Sequence, residues 1–345
     1  MGWKSAPAID SFRDHEADWD ALNNKYADGN PYFDSCFVGP LIECFATKDD
    51  HLWVHTTGGA IDGACVLSKQ KAGKSALFVP SQVQIAPLLV ANDEMLTELV
   101  RQVSPTSLAI DVPCQDPLFT PIGVEKASLP VVRQDHAYTI CVNVDGTFND
   151  YWTSRSKNLR SSVGRRRKKA EKDGIEVSFV HRTSSSEMTD AVDRFGEMET
   201  RSWKGEAGTA VHASNVQGKF YASVMKRFSE KGKASIFELY FNDEVVAIEL
   251  GILSDRMVVL LKTTFDNQWS KYSPGRLLLH ELLNEEFRLK RVPVVEFYTN
   301  ADGNERSWAS EGRWVFNATV FRSSAILGLY NVARGARNAL MRRRS

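Results

Sequence analysis

The stretch Val258-Val259-Leu260-Leu261-Lys262-Thr263-Thr264-Phe265-Asp266, followed after a short loop by Tyr272-Ser273-Pro274-Gly275-Arg276-Leu277-Leu278-Leu279, reads as a buried strand feeding the start of a helix. Ser273 is placed to cap that helix, Pro274 suits its first turn, and Leu278, Leu279, Leu282, Leu283 and Phe287 recur at three- and four-residue spacing. Arg288, Lys290 and Arg291 crowd its last turn, Pro293 blocks continuation, and Val294-Val295-Glu296-Phe297-Tyr298 resumes a strand. A parallel strand-helix-strand crossover follows, with the helix start at the carboxyl end of a strand, where open sheets place ligands. Free N–H groups and the positive end of the helix dipole suit an anion there, with Gly275 allowing close approach and Arg276 adding charge. Ser-Pro-Gly equally suits a helix that only packs, so the surrounding elements must decide.

Upstream, Ile175 to His181 reads as a strand, Ser186 to Trp203 and Val216 to Lys231 as helices. Ser235 to Phe241, Val245 to Leu253 and Met257 to Thr264 then form an antiparallel meander that enters the crossover. Strand, two helices, three strands, helix, strand is the layout of the GNAT acyltransferase superfamily. Lys262-Thr263-Thr264-Phe265-Asp266, Tyr272-Ser273-Pro274-Gly275-Arg276-Leu277-Leu278 and Arg201-Ser202-Trp203-Lys204-Gly205 resemble the motifs of the CelD-like acetyltransferases. These are bacterial proteins associated with cellulose and exopolysaccharide synthesis, related to the FemAB peptidoglycan aminoacyltransferases.

The resemblance implies an α/β (α+β) fold of two tandem GNAT-like domains, with mixed central sheets flanked by helices. It divides the chain into a degenerate first domain (1–145), an acyltransferase domain (146–322) and a basic C-terminal helix or tail (323–345). The implied activity is direct N- or O-acyl transfer, acetyl in the simplest case, from acyl-CoA to a sugar or polysaccharide precursor. Two alternatives stay open: a FemAB-like transferase using charged tRNA, and a non-catalytic scaffold binding anionic lipid or an acidic partner.

A length of 345 residues suits two domains, and 43% hydrophobic content suffices for two cores. The net charge of zero leaves no overall field to steer a polyanion, so electrostatic function must come from local patches. The five cysteines, Cys36, Cys44, Cys65, Cys114 and Cys141, are scattered and form no Cys-x-x-Cys pair, implying neither a disulfide framework nor a zinc site. The start carries no apolar run of the signal-peptide kind and no run is long enough to cross a membrane, so a cytoplasmic protein is expected, with peripheral contact at the inner membrane face open through its basic end.

In the first half, Pro31-Tyr32-Phe33 opens a helical pattern through Phe45. His51 to Thr57 and Ala60 to Ser68 form a hairpin about Gly58-Gly59, Asp93 to Val103 reads helical, and Ser107 to Val112 extended. Ser81-Gln82-Val83-Gln84-Ile85-Ala86-Pro87 stands where a phosphate-cradling turn belongs, without a glycine or a basic residue. Donor binding is therefore expected in the second half, while the first shapes the acceptor cleft. Asp111 to Arg133, broken by four prolines, reads as a connection near the boundary.

Arg155 to Lys172 carries nine cations against the single acid Glu171. It suits a solvated helix, an anion contact through the forked Arg160 and Arg165, or RNA. Ala325 to Arg344 mixes apolar residues and arginines, which suits a helix packed on the protein or one touching acidic lipid.

Acyl transfer requires a polarised carbonyl, a deprotonated acceptor and a protonated leaving thiolate. Lys262, at a strand end, is the candidate for polarising the carbonyl or holding a donor phosphate. Glu249, inside an otherwise apolar strand, faces either solvent or the cleft, where it would serve as general base. Asp266 and Tyr272 flank the loop and either position the acceptor and protonate the thiolate or close the loop by a hydrogen bond. Ser273, Pro274, Gly275 and Arg276 are the expected donor site. Trp203, Lys204 and Trp308 are candidates for the acceptor cleft, beside Arg160 and Arg165. His212 and His280 lie near these motifs without a triad partner, and no metal is implied.

Overall fold

The computed structural model describes residues 2–70, 74–103, 108–122, 130–201 and 215–342. Its described strands form one twelve-stranded sheet in the order β1-β2-β3-β4-β5-β12-β6-β11-β10-β9-β8-β7. In chain order these are β1 (Gly2–Pro7), β2 (Asp50–Thr57), β3 (Ala60–Lys69), β4 (Lys74–Leu77), β5 (Ala109–Gln115) and β6 (Val131–Asn143), then β7 (Val177–Arg182), β8 (Ala234–Phe241), β9 (Glu244–Leu253), β10 (Met257–Phe265), β11 (Val294–Glu296) and β12 (Glu311–Phe321). The longer helices are α1 (Glu16–Ala27), α2 (Ser35–Phe45), α3 (Asp93–Gln102), α4 (Phe148–Ser154), α5 (Lys157–Lys172), α6 (Ser185–Arg201), α7 (Val216–Glu230), α8 (Pro274–Leu289) and α9 (Ser324–Arg342). The molecule is a mixed α/β fold with a central mixed sheet flanked by helices.

The pairing pattern repeats. From β1 to β5 the neighbours are antiparallel three times and then parallel, and from β7 to β11 the same sequence recurs. The sixth strand of each series is exchanged: β6 pairs with β11 and β12 pairs with β5, and β6 and β12 pair with each other to join the halves. The segment 111–133 corrects the expected connection at both ends. β5 runs through Pro113 to Gln115, and Pro113 falls where the β5–β12 register shifts between Phe316 and Ala318, a position that needs no ladder N–H. The Cys114 amide there donates to the Asn317 side chain at 2.9 Å.

Local chemistry accounts for the second half. The Ser156 hydroxyl accepts from the Leu159 amide at the start of α5, and Leu159, Val163 and Ala170 form its buried stripe. Asn215 caps α7 in the same way. Along β8–β10, side chains alternate between two cores. Ile236, Ile248, Leu250, Ile252 and Val259 face α6 and α7, whereas Phe237, Leu239, Ala247, Val258 and Leu260 face α5 and α8. Cover on both faces explains why these strands read as near-continuous apolar runs. α8 ends at Lys290 in the left-handed conformation (φ 50°), whose amide returns to Glu286.

Candidate functional site

β10 and β11 pair in parallel for only three residues, Met257 with Val294, Val258 with Val295 and Val259 with Glu296. Beyond them β10 bulges between Leu260 and Lys262, which bends a strand and re-aims its side chains, while the other chain leaves through Phe297 and Tyr298. A cavity of about 340 Å³ opens where they part. Leu260 to Thr263 form one wall, Phe297 to Thr299 the other, and the first turns of α8 with Trp308 close the side. Tyr32 and Gln84 reach in from the first half.

The polar groups converge on one end. Glu249, on β9, is buried, lines the cavity and accepts from the Thr263 hydroxyl opposite it on β10. The Lys262 ammonium lies 3.4 Å from the buried Glu199 carboxylate of α6 and 5.1 Å from the Tyr221 ring centroid. Tyr32 and Tyr298 are both buried, with rings 5.5 Å apart, edge to face. Burial raises both phenols well above their ordinary range, helped by Glu249 near Tyr32 and Glu296 near Tyr298, so each keeps its proton at neutral pH. Tyr298 has φ 43°, a costly conformation for an aromatic residue, and its hydroxyl accepts from the Asn30 side chain at 3.0 Å. This bond ties the cavity wall to the first half.

A buried ion cluster underlies that wall. Arg313 of β12 donates to Asp116, following β5, at 2.8 Å and to Glu296 of β11 at 2.9 Å. One arginine serves two buried carboxylates, and burial pushes Glu296 up to about 7 against the pull of Arg313.

The sequence candidates separate by position. Lys262, Glu249, Gly275, Arg276 and Trp308 all line the cavity. Asp266 accepts from the Gln268 amide at 2.9 Å and caps a short 3-10 helix, and the Tyr272 hydroxyl donates to Asp173 at 2.6 Å, so both spend their polar atoms on the loop before α8. Ser273 differs from the expected cap: it sits in the left-handed conformation (φ 52°) without a side-chain cap bond, and its carbonyl accepts from the Arg276 and Leu277 amides. The Arg160 Nε donates to the Arg155 carbonyl at 3.2 Å. Arg165 shares a separate groove of about 320 Å³ with Ser162, Arg166 and Lys169, and Arg276 at the start of α8 donates to the Ser162 hydroxyl at 3.3 Å, which joins the groove to the helix start. Trp203, Lys204 and His212 lie outside the described residues. His280 packs among Phe148 and Trp152. Among the described residues no cluster of His, Cys, Asp and Glu is arranged to hold a metal.

Sequence reasoning missed Tyr32, Tyr298 and Glu199. Tyr32 and Tyr298 lie 266 positions apart and meet only in three dimensions, and Glu199 is one acid among several in α6. The left-handed Tyr298 had no signal, because tyrosine in a strand is ordinary.

Residues 157–306 match the family model described as an acetyltransferase (GNAT) domain. No curated protein matches the chain. Among solved structures it resembles FemX, at 11% identity and TM-score 0.58, covering 92% of this chain and 98% of that one. A conserved protein of unknown function from Bacteroides thetaiotaomicron VPI-5482 aligns at 10% identity and TM-score 0.59, over 89% of this chain and 97% of the other. L-PGS from Bacillus licheniformis aligns at 11% and 0.50, over 89% and 92%. At such identities these likenesses speak for the fold. The match to residues 157–306, which hold the parted strands and the start of α8, supports an acyltransferase.

Proposed function

We propose that the chain transfers an acyl group directly from acyl-CoA, acetyl-CoA in the simplest case, to an amine or hydroxyl of a sugar or polysaccharide precursor. The observation that carries this reading is the cavity between the parted β10 and β11, which runs to the start of α8. Its volume of about 340 Å³ accommodates an acyl-pantetheine arm but not the nucleotide as well. The phosphates then fall at the α8 start, beside Arg276 and the groove of Ser162, Arg165, Arg166 and Lys169.

In this reading Glu249 takes the proton of the acceptor as its nitrogen or oxygen attacks the thioester carbon. Lys262 stabilises the resulting oxyanion, the C–S bond breaks, and the departing thiolate is protonated by Tyr298, whose phenolate then recovers the acceptor's proton from Glu249 to close the cycle. The Tyr298 hydroxyl accepts from Asn30 and so has its own proton to give. No covalent enzyme intermediate is needed. Asp266 and Tyr272 hold the loop that presents the helix start.

Thiol release from acetyl-CoA, followed across a panel of amino sugars and their O-linked counterparts, tests the proposal. Glu249→Gln should lower kcat by about a hundred- to ten-thousandfold with donor affinity unchanged. An unchanged kcat would remove Glu249 from the mechanism.

A second reading is favoured by the outer face of α5, where Lys157, Arg165, Lys168, Lys169 and Lys172 are exposed. That cationic surface is larger than a nucleotide needs and suits the FemAB-like use of aminoacyl-tRNA. Salt-sensitive tRNA binding lost on neutralising Arg165 and Lys169, with no acyl-CoA affinity, would establish it instead.

A further inference from the structure

Ser162, Arg165, Arg166 and Lys169 stand at i, i+3, i+4 and i+7 of α5 and so share one face, where they line the groove of about 320 Å³. Three cations on one helical face repel one another. On another side of the same helix acids relieve such repulsion: Arg167 lies 3.6 Å from Glu171 and donates to Glu281. Among the described residues no carboxylate pairs with Arg165, Arg166 or Lys169. Arg166 donates to the Lys271 carbonyl at 2.6 Å, the Lys169 ammonium lies 5.6 Å from the Tyr272 ring centroid, and Asp173, one turn on, accepts from the Tyr272 hydroxyl. The charge of the groove is left for an anion from outside the chain.

That anion has a neighbour. Arg276 lines the cavity at the start of α8 and donates to the Ser162 hydroxyl at 3.3 Å, so the groove begins one side chain away from the helix start. The bond uses Ser162 as an acceptor and leaves its own proton to give to a phosphate. Two cationic sites on two helices thus adjoin, and a ligand with a single phosphate cluster would fill one and leave the other's charges bare. Coenzyme A carries a diphosphate on the 5′ side and a phosphomonoester on the 3′ side of one ribose, two anions set a sugar's width apart. We infer that the α5 groove binds the 3′-phosphate of the donor while the start of α8 holds its diphosphate, an assignment that rests on the acyl-CoA reading above. Arg165 and Arg166 offer forked donors to the phosphate, and Lys169 a point charge. The groove then selects free acyl-CoA over an acyl group carried on a protein-bound phosphopantetheine arm, which has no 3′-phosphate.

The test is calorimetric titration of the full chain with acetyl-CoA and with acetyl-3′-dephospho-CoA, for the wild type and for Arg165→Ala combined with Lys169→Ala, two exposed positions. The wild type should bind acetyl-CoA about ten- to a hundredfold more tightly than the dephosphorylated donor. The variant should bind both donors with the affinity that the wild type shows for the dephosphorylated one. Equal affinity of the wild type for the two donors would overturn the inference and leave the acyl-CoA reading standing, as would a variant that loses affinity for both alike. Equal affinity together with salt-sensitive tRNA binding that the variant loses would assign the groove to RNA. Failure of the wild type to bind either donor would remove the acyl-CoA reading and this inference with it.

Discussion

Glu249 and Lys262 could be singled out from sequence because each interrupts a run of apolar residues in a strand, and a buried charge in such a run needs a reason. Their partners could not. Glu199 and Tyr221 come from helices whose facing depends on how α6 and α7 pack, and Tyr298 is turned inward by a backbone conformation that its residue type does not announce. Tyr298→Phe should preserve folding and lower kcat by about a hundredfold or more, since it removes the proton we assign to the leaving thiolate. Rate measurements with a donor carrying a more acidic thiol, which needs less protonation, should narrow that difference. Glu296 gives a prediction in pH. Its carboxyl is held at about 7 against an ordinary 4.5, so between these values the folded chain binds a proton that the unfolded chain has released. Stability from this group is present below 4.5 and lost as the pH rises through 7, by roughly 3 kcal/mol in all. Glu296→Gln should flatten the fall of the melting temperature between pH 4.5 and 7, and an unchanged slope would count against a protonated Glu296.

Strands β8 to β10 and helix α8 were legible because apolar runs, a proline start and a closing proline are local signals. β6 and β12 were not, since both cross between halves. β6 carries the exposed run Gln134-Asp135-His136 in its middle, which breaks apolar alternation, and its pairing partners β11 and β12 lie more than 150 residues further on. β1, six residues with mixed exposure, is equally silent. The exchanged strand β12 brings Arg313 between Asp116 of the first half and Glu296 of the second. Arg313→Leu should destabilise the protein by about 3–5 kcal/mol, because it leaves two buried carboxylates facing each other without a counter-charge. Chemical denaturation would read that loss, and its size should shrink at low pH as Glu296 takes up its proton.

The two halves share an order of strand pairing without sharing visible residue identity, and their exchanged sixth strands merge them into one sheet. A boundary drawn at residue 145 therefore separates chain segments whose strands interleave, and we expect 1–145 expressed alone to lack β12, the strand that flanks β5 on the side away from β4. The second copy has Gly275, Arg276 and a basic groove beside its helix start, while the first supplies Tyr32 and Gln84 to the cavity. Donor binding at the start of α8 is tested at Gly275. A Cβ there would meet Phe265 Cδ1 at 3.7 Å, an ordinary van der Waals contact. Calorimetric titration with acetyl-CoA should give saturable binding to the wild type and none to a folded Gly275→Glu variant, whose carboxylate would repel phosphates at the start of α8. Equal binding by both, or none by the wild type with longer acyl-CoAs also tried, would rule out a donor site at the start of α8.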